Sequence, residues 1–144
     1  MTMDNKATAL KWYKQAVHDI DLAEKNIQIK GYDVSAFLSQ QAVEKLLKAI
    51  ILLNGKSNPK THYIDELAKI LKLPEDIVLD VMDLTGDYMF SRYPDIGDKV
   101  PYEEYDEEIA LEKVEKAKNI FLKLKKCTKP MDDILERENE NEGE

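Results

Sequence analysis

The chain has 144 residues, 43% of them hydrophobic and 35% charged, a composition that excludes general disorder and fits a single folded domain. Five glycines and five prolines are too few for the many turns of a sandwich, a barrel or a doubly wound sheet, so we expect a few long helices. Seven acids and one base in residues 131–144 account for -6 of the net charge of -8, and the near-neutral remainder argues against the broad basic surface that non-specific nucleic-acid binding requires while leaving room for a local basic site.

Cys127 is the only cysteine, so an internal disulfide is excluded, and no Cys/His spacing resembles a zinc site. We therefore expect a reducing compartment, no metal and no cofactor. The first residues lack the basic start and the apolar run of a signal peptide, and the longest apolar stretch, Ala49–Leu53, is far below the roughly 20 residues that span a bilayer. The sequence therefore predicts a cytoplasmic protein without a membrane segment.

The first two helices are predicted from their apolar patterns. Apolar residues at steps of three and four predict an amphipathic helix over residues 6–29, and a second helix should run from a cap at Asp33 or Ser35 to about Asn54. The second helix is apolar around most of its circumference, so we expect it to be central and buried on more than one side. Its surplus apolar face predicts a homodimer, because an exposed patch of that size would invite association.

The remaining elements are also helical. Thr61 is predicted to cap a short third helix, and Pro74 to open a fourth helix that ends near Arg92. A loop is expected over residues 94–101 and a last helix over residues 105–126. Together these elements predict an all-α protein: an antiparallel up-and-down four-helix bundle with one additional short helix.

The predicted domain organisation is a helical bundle over residues 1–127 followed by an acidic C-terminal tail over residues 128–144. Alternating Glu and Asn in the tail cannot build a core and would ordinarily be disordered. Met131, Ile134 and Leu135 could instead dock the tail as a short amphipathic turn, over a basic groove or onto a neighbouring chain. Deleting the tail from Met131 onward is expected to leave the fold intact.

Five polar residues of the second helix fall within one sector at about 100° per residue: Gln40, Gln41, Glu44, Lys45 and Lys48. One interpretation is a solvated stripe with an ion pair between Glu44 and Lys48. The other is the lining of a groove between helices or subunits, in which the Gln and Lys side chains bind phosphate or base edges and Glu44 orients them.

Lys60, Thr61 and His62 lie at the predicted start of the third helix, where unpaired N–H groups and the helix dipole favour an anion. His62 is then either a ligand of that anion or a surface or capping residue. Both interpretations are open.

Arg92 is the only arginine outside the acidic tail, and a guanidinium can grip a phosphate with two parallel hydrogen bonds. Tyr93 follows it, and Tyr88, Tyr102 and Tyr105 surround the same loop, as expected if a base stacked there. Packing of the loop against the bundle explains these tyrosines equally well.

Three strings of the chain carry a family resemblance: AFLSQQAVEKLLKA at residues 36–49, KTH at residues 60–62 and SRYP at residues 91–94. Together they resemble the HEPN domain family over about residues 6–126. The resemblance implies an all-helical bundle that dimerises, binds nucleotides and works beside a small nucleotidyltransferase in a two-component or toxin–antitoxin-like system of prokaryotes. The predicted ligand-binding residues are Gln41, Lys45, Lys48, Lys60, His62, Arg92 and Tyr93.

Some branches of the family that the chain resembles are metal-independent ribonucleases that use an arginine followed four to six residues later by a histidine. No histidine follows Arg92, so a binding module is favoured over an enzyme. A ribonuclease would have to use Arg92 as the cation for the phosphorane, with His62 for proton transfer and Glu44 as its partner. The leading hypothesis is a dimeric nucleotide- or RNA-binding accessory module, and the alternatives are that ribonuclease toxin and a purely structural dimerisation module.

Overall fold

The computed structural model describes residues 3–142, with side chains from Asn5 onward; the first two positions of the predicted bundle and the last two of the predicted tail lie outside the described residues. Helices are the regular elements of this part of the chain, which contains no strand: α1 Met3–Gln28, α2 Tyr32–Leu53, α3 Ile64–Ile70, α4 Glu75–Thr85, α5 Asp87–Phe90, α6 Pro101–Glu104, α7 Glu107–Lys123 and α8 Lys125–Glu142. The prediction of an all-α, antiparallel up-and-down bundle is confirmed. Within residues 3–142, no helix has both the length and the apolar composition needed to cross a membrane.

Helix α2 is the centre of the bundle, with α1 and α3 to α7 packed around it. Fourteen of its 22 residues are buried, and Val34 is its only exposed residue, which confirms the predicted central helix. Because neighbours within the protomer cover these apolar side chains, α2 does not have the surplus apolar face on which the homodimer prediction rests. The homodimer itself stays a prediction.

Helix α2 starts earlier than its predicted caps. Gly31 is its N-cap residue and makes no side-chain hydrogen bond, so the assignment of the cap to Asp33 or Ser35 is wrong. Asp33 lies in the first turn, where its charge is favourable at the positive end of the helix dipole. Ser35 is buried, and its hydroxyl donates to the carbonyl of Ala23 at 2.6 Å, so it ties α2 to α1.

The predicted fourth helix is two helices in the structure, α4 and α5. Gly86 separates them, because it is both the C-cap of α4 and the N-cap of α5. Glycine is among the weakest helix formers, and Asp87, the first residue of α5, is buried. Helix α5 packs against α2, and the ring centroids of Tyr88 and Phe37 of α2 are 6.3 Å apart. The break therefore places Tyr88 against the central helix.

The predicted loop and last helix also differ in their bounds. The short helix α6, which was not predicted, begins at Pro101. Helix α7 begins at Glu107, two residues later than expected, because Asp106 caps it by accepting from the N–H of Ile109 at 2.8 Å. The buried Leu124 separates α7 from α8.

The predicted boundary between residues 127 and 128 lies inside α8, and the division into a bundle and an acidic tail stays a prediction. Thr128 and Met131 are each 1% exposed, and the Tyr13 hydroxyl of α1 donates to Asp132 of α8. Burial raises the pKa of Tyr13, and its hydrogen bond to Asp132 raises it further. The high charge of the segment predicts disorder, whereas the structure shows a helix whose first half is docked through buried side chains.

Candidate functional site

The polar sector of α2 is largely turned away from solvent. Gln40, Glu44 and Lys48 follow one another at intervals of four residues and are 0%, 3% and 3% exposed, whereas Gln41 and Lys45 are half-buried beside them. The interpretation as a solvated stripe is therefore wrong for the first three residues. Their polar groups face other parts of the protein and need partners there.

Glu44 connects two of the neighbouring basic groups. Its Oε2 lies 3.3 Å from the Lys48 ammonium and 3.3 Å from Nδ1 of His62, and its Oε1 is buried without a hydrogen-bond partner among the described residues. A buried carboxylate is stable only when it is paired and hydrogen-bonded, and here one of its two oxygens has these contacts. Oε1 is therefore an unsatisfied acceptor inside the protein.

His62 is held by its backbone and by its ring, yet remains accessible. Gln40 Nε2 donates to the backbone carbonyl of His62 at 3.1 Å, and the imidazole stacks on Tyr88 with ring centroids 5.1 Å apart and an interplanar angle of 10°. The His62 side chain is still 55% exposed. Because Nδ1 faces Glu44, Nε2 is the nitrogen left to bind a ligand or exchange a proton with it.

Arg92 is exposed, and its guanidinium lies near two tyrosine rings. Nη1 donates to the Tyr88 hydroxyl at 2.6 Å, and the guanidinium carbon is 5.3 Å from the Tyr88 centroid and 5.5 Å from the Tyr93 centroid. These contacts orient the guanidinium and leave its other N–H groups for a phosphate. We call Glu44, His62, Tyr88 and Arg92 the His–Arg cluster.

Tyr88 is the centre of the His–Arg cluster, since it contacts both His62 and Arg92. The sequence indicates it only as one of several tyrosines around a loop. Partial burial raises the pKa of its hydroxyl, and the nearby Arg92 partly offsets this effect. The hydroxyl therefore stays protonated at neutral pH. It accepts the hydrogen bond from Arg92, and its contact with Tyr93 raises its pKa further.

Three predicted site residues make no hydrogen bond, ion pair or ring contact with the His–Arg cluster in the described part of the chain. Lys45 forms an ion pair with Asp19 of α1, and Gln41 donates to Oε1 of Gln40 at 2.9 Å. Lys60 is exposed and forms no ion pair or side-chain hydrogen bond with the described residues. Lys48 and Tyr93, in contrast, touch the cluster directly.

The start of the third helix does not have the geometry of the predicted anion site. Helix α3 begins at Ile64, spans seven residues and has Tyr63 as its N-cap; the Thr61 hydroxyl accepts from the N–H of Tyr63 at 3.1 Å, so it does not cap the helix. His62 thus lies in the preceding loop. Its position comes from side-chain contacts rather than from the helix dipole.

A network of polar side chains that the sequence does not predict holds α5 in place. The Tyr105 hydroxyl donates to Oδ1 of Asp87 at 2.6 Å, and the Lys113 ammonium lies 3.0 Å from Oδ2 while donating to the carbonyl of Asp83 at 2.6 Å. Burial raises the pKa of Asp87, against the opposing effects of Tyr105 and Lys113. Because Asp87 directly precedes Tyr88, this network fixes the turn of helix that carries Tyr88.

We expect Asp87→Asn to become more stable relative to the wild type as the pH rises. Folding raises the pKa of Asp87, so the wild type loses free energy of unfolding as the pH increases from the ordinary Asp value of about 3.9 towards the raised value. The Asn side chain does not titrate in this pH range, and its oxygen can still accept the hydrogen bond from Tyr105. Urea unfolding of both proteins from about pH 3 to about pH 7 measures the difference. A pH-independent difference would contradict the prediction.

The family model of the HEPN domain matches residues 9–127 of the chain, which include the whole His–Arg cluster. The chain belongs to the HEPN domain family. Most of α8 lies beyond the HEPN match, so the helix docked through Met131 is a feature of this chain outside the matched domain.

Solved structures share the fold of this HEPN domain. The protein TT1696 from Thermus thermophilus is 28% identical, with a TM-score of 0.76 over 83% of this chain and 97% of its own. The archaeal HEPN homologue ST0689 is 31% identical, with a TM-score of 0.71 over 85% of this chain and 97% of its own. A HEPN domain protein from Thermotoga maritima, 21% identical with a TM-score of 0.60 over 88% of this chain and 98% of its own, shows the fold alone.

One curated relative has a name that refers to a function. The protein named "Putative toxin MJ1304" of Methanocaldococcus jannaschii is 26% identical over 121 residues, which cover 75% of this HEPN chain and 80% of the relative.

Proposed function

We propose that this HEPN domain binds the phosphate of single-stranded RNA or of a nucleotide at the His–Arg cluster. The observation that carries the proposal is the exposed Arg92 guanidinium, oriented by Tyr88 at 2.6 Å beside an imidazole that is 55% exposed. A guanidinium with free N–H groups matches the oxygens of a phosphate. Tyr93, which is 38% exposed, offers a ring on which the attached base can stack.

Arg92→Lys keeps the positive charge but removes the planar guanidinium, whose N–H groups can donate two parallel hydrogen bonds to one phosphate. We expect it to weaken RNA binding by about 1.5–3 kcal/mol, the range for hydrogen bonds to charged groups. The midpoint of thermal unfolding should hardly change, because surface substitutions rarely alter stability. Fluorescence anisotropy with a labelled oligouridylate of about six nucleotides measures the binding, and circular dichroism follows the unfolding.

The matched control is Arg137→Lys, since Arg137 is the other arginine of the chain and is exposed on α8, far along the sequence from the cluster. We expect it to change neither binding nor stability. If Arg92→Lys lowered the unfolding midpoint and left binding intact, Arg92 would have a structural role and the proposal would fail.

A second candidate function, metal-independent cleavage of RNA, is favoured by the contact of His62 Nδ1 with Glu44 at 3.3 Å. In this reaction Nε2 of His62 accepts the proton of the ribose 2′-hydroxyl, the 2′ oxygen bonds to the adjacent phosphorus, and the bond from phosphorus to the 5′ oxygen breaks. The Tyr88 hydroxyl gives its proton to the departing 5′ oxygen. The products are a 2′,3′-cyclic phosphate and a 5′-hydroxyl, with Arg92 stabilising the charge that develops on the phosphorane.

We further propose that the protein is the homodimeric component of a two-component, toxin–antitoxin-like system whose other member is a small nucleotidyltransferase. Membership of the HEPN family supports this, as does the toxin name of the relative from M. jannaschii. Light scattering after size exclusion should give about twice the chain mass of 16.6 kDa for the protein alone. Co-elution with a nucleotidyltransferase encoded beside it tests the partnership, and separate elution at all mixing ratios would contradict it.

A further inference from the structure

A small slot lies between α1 and α2, and none of the residues of the His–Arg cluster lines it. Lys11, Trp12 and Gln15 of α1 and Lys45 of α2 line it, and its volume is about 290 Å³. The Trp12 side chain packs against the core but is only half-buried. The ring is therefore held in place while part of its surface stays open to a flat aromatic ligand.

Lys48 links this slot to the His–Arg cluster. Its ammonium lies 5.3 Å from the centroid of the Trp12 ring and 3.3 Å from Oε2 of Glu44. Glu44 in turn contacts His62 at 3.3 Å. Trp12, Lys48, Glu44 and His62 thus form one continuous series of contacts between the slot and the His–Arg cluster.

The charges that the slot presents to solvent are positive. Lys11 is exposed and has no ion-pair partner among the described residues. Lys45 pairs with Asp19, and the Lys45 side chain is 21% exposed whereas that of Asp19 is only 4% exposed, so the lysine contributes more to the surface than the aspartate. An aromatic ring bordered by ammonium groups suits a nucleobase with its attached phosphate.

We propose that the slot is a second nucleotide subsite, in which one base of a single-stranded RNA stacks on Trp12 and the adjoining phosphate lies between Lys11 and Lys45. The inference rests on the proposed function, because the first subsite is the His–Arg cluster. It specifies the ligand as an RNA strand of at least two nucleotides, which occupies both subsites, rather than a mononucleotide.

Trp12 is the only tryptophan of the chain, so the intrinsic tryptophan fluorescence of the wild-type protein reports on this slot alone. We expect an oligouridylate of about six nucleotides to quench the fluorescence as it binds. Uridine monophosphate bound at the His–Arg cluster should leave the emission unchanged. The quenching is measured on the wild type, so it does not depend on the folding of any variant.

Trp12→Leu should weaken binding of the oligouridylate by about 5- to 150-fold, as loss of one base stack requires, and leave binding of uridine monophosphate unchanged. Leu122→Ala, which removes an apolar side chain of α7 that is 64% exposed, is the control and should affect neither ligand.

The outcomes separate this inference from the proposed function. Binding of the oligouridylate without quenching would overturn the second subsite and leave the proposed function standing. Failure of both ligands to bind the wild type would overturn the proposed function and the subsite with it. A change in tryptophan emission when the protein is diluted without RNA would show that a second copy of the chain covers Trp12, and would also overturn the subsite.

Discussion

For the proposed RNA cleavage, we expect His62→Ala to lower the rate by about 10²- to 10⁴-fold, the usual contribution of a general acid or base. The contact of Nδ1 with Glu44 at 3.3 Å and the stack on Tyr88 orient the imidazole so that Nε2 is left for the 2′-hydroxyl. RNA binding should fall much less, because Arg92 remains in place. The measurement is the appearance of 2′,3′-cyclic phosphate ends on a labelled oligonucleotide in the presence of a metal chelator.

Two further variants sharpen the test of His62. His18→Ala removes the other histidine of the chain, which is exposed on α1, and should leave cleavage unchanged. Glu44→Gln keeps the size of the side chain but removes its charge, so it should reduce cleavage by less than His62→Ala does. Equal cleavage by the wild type and His62→Ala would exclude His62 from the chemistry, and an inactive wild type would leave the binding function alone.

Met131→Ala should lower the free energy of unfolding by about 2–5 kcal/mol, the range for truncating a buried methionine to alanine. Met131 is 1% exposed and belongs to the hydrophobic core, although it lies in the segment that its acidic composition marked as a tail. Removing its side chain leaves a cavity between α8 and the rest of the bundle. Urea unfolding followed by circular dichroism gives the difference in free energy.

Met82→Ala on α4 is the matched control for Met131→Ala, because it deletes the same atoms at a site that is 53% exposed. Its effect should stay within about 0.5 kcal/mol. If the two variants proved equally stable, Met131 would contribute nothing to the core, and this result would support the predicted domain boundary after residue 127.

Hydrophobic periodicity was sufficient to predict the helices whose apolar residues determine their packing. Helix α2 is the clearest case, since its apolar circumference could be buried only at the centre of a bundle. Periodicity did not predict the break at Gly86 or the docking of α8, because both depend on contacts with distant parts of the chain: Asp87 with Tyr105, and Tyr13 with Asp132.

The candidate site was predictable as a set of residue types but not as an arrangement. Glu44, His62 and Arg92 were each singled out by chemistry or spacing, whereas their proximity depends on how the loop before α3 and the short helix α5 pack against α2. The role of Trp12 had no signal in the sequence, because one aromatic residue on an amphipathic helix normally indicates only core packing. Its contact with Lys48 is visible only in the folded protein.

Helix α8 has buried side chains in its first half and exposed side chains in its second half, so its two halves differ in the free energy of local unfolding. The first half of the helix holds Thr128 and Met131 in the core, whereas every residue from Glu136 to Glu142 is exposed. The ion pair of Glu138 with Lys14 joins two side chains that are about half exposed, and such pairs contribute only about 0–1 kcal/mol. Segments with few buried contacts open at the lowest free energy. Helix α8 therefore consists of two energetic units: a first half that separates only when the core unfolds, and a second half whose backbone opens while the bundle stays intact.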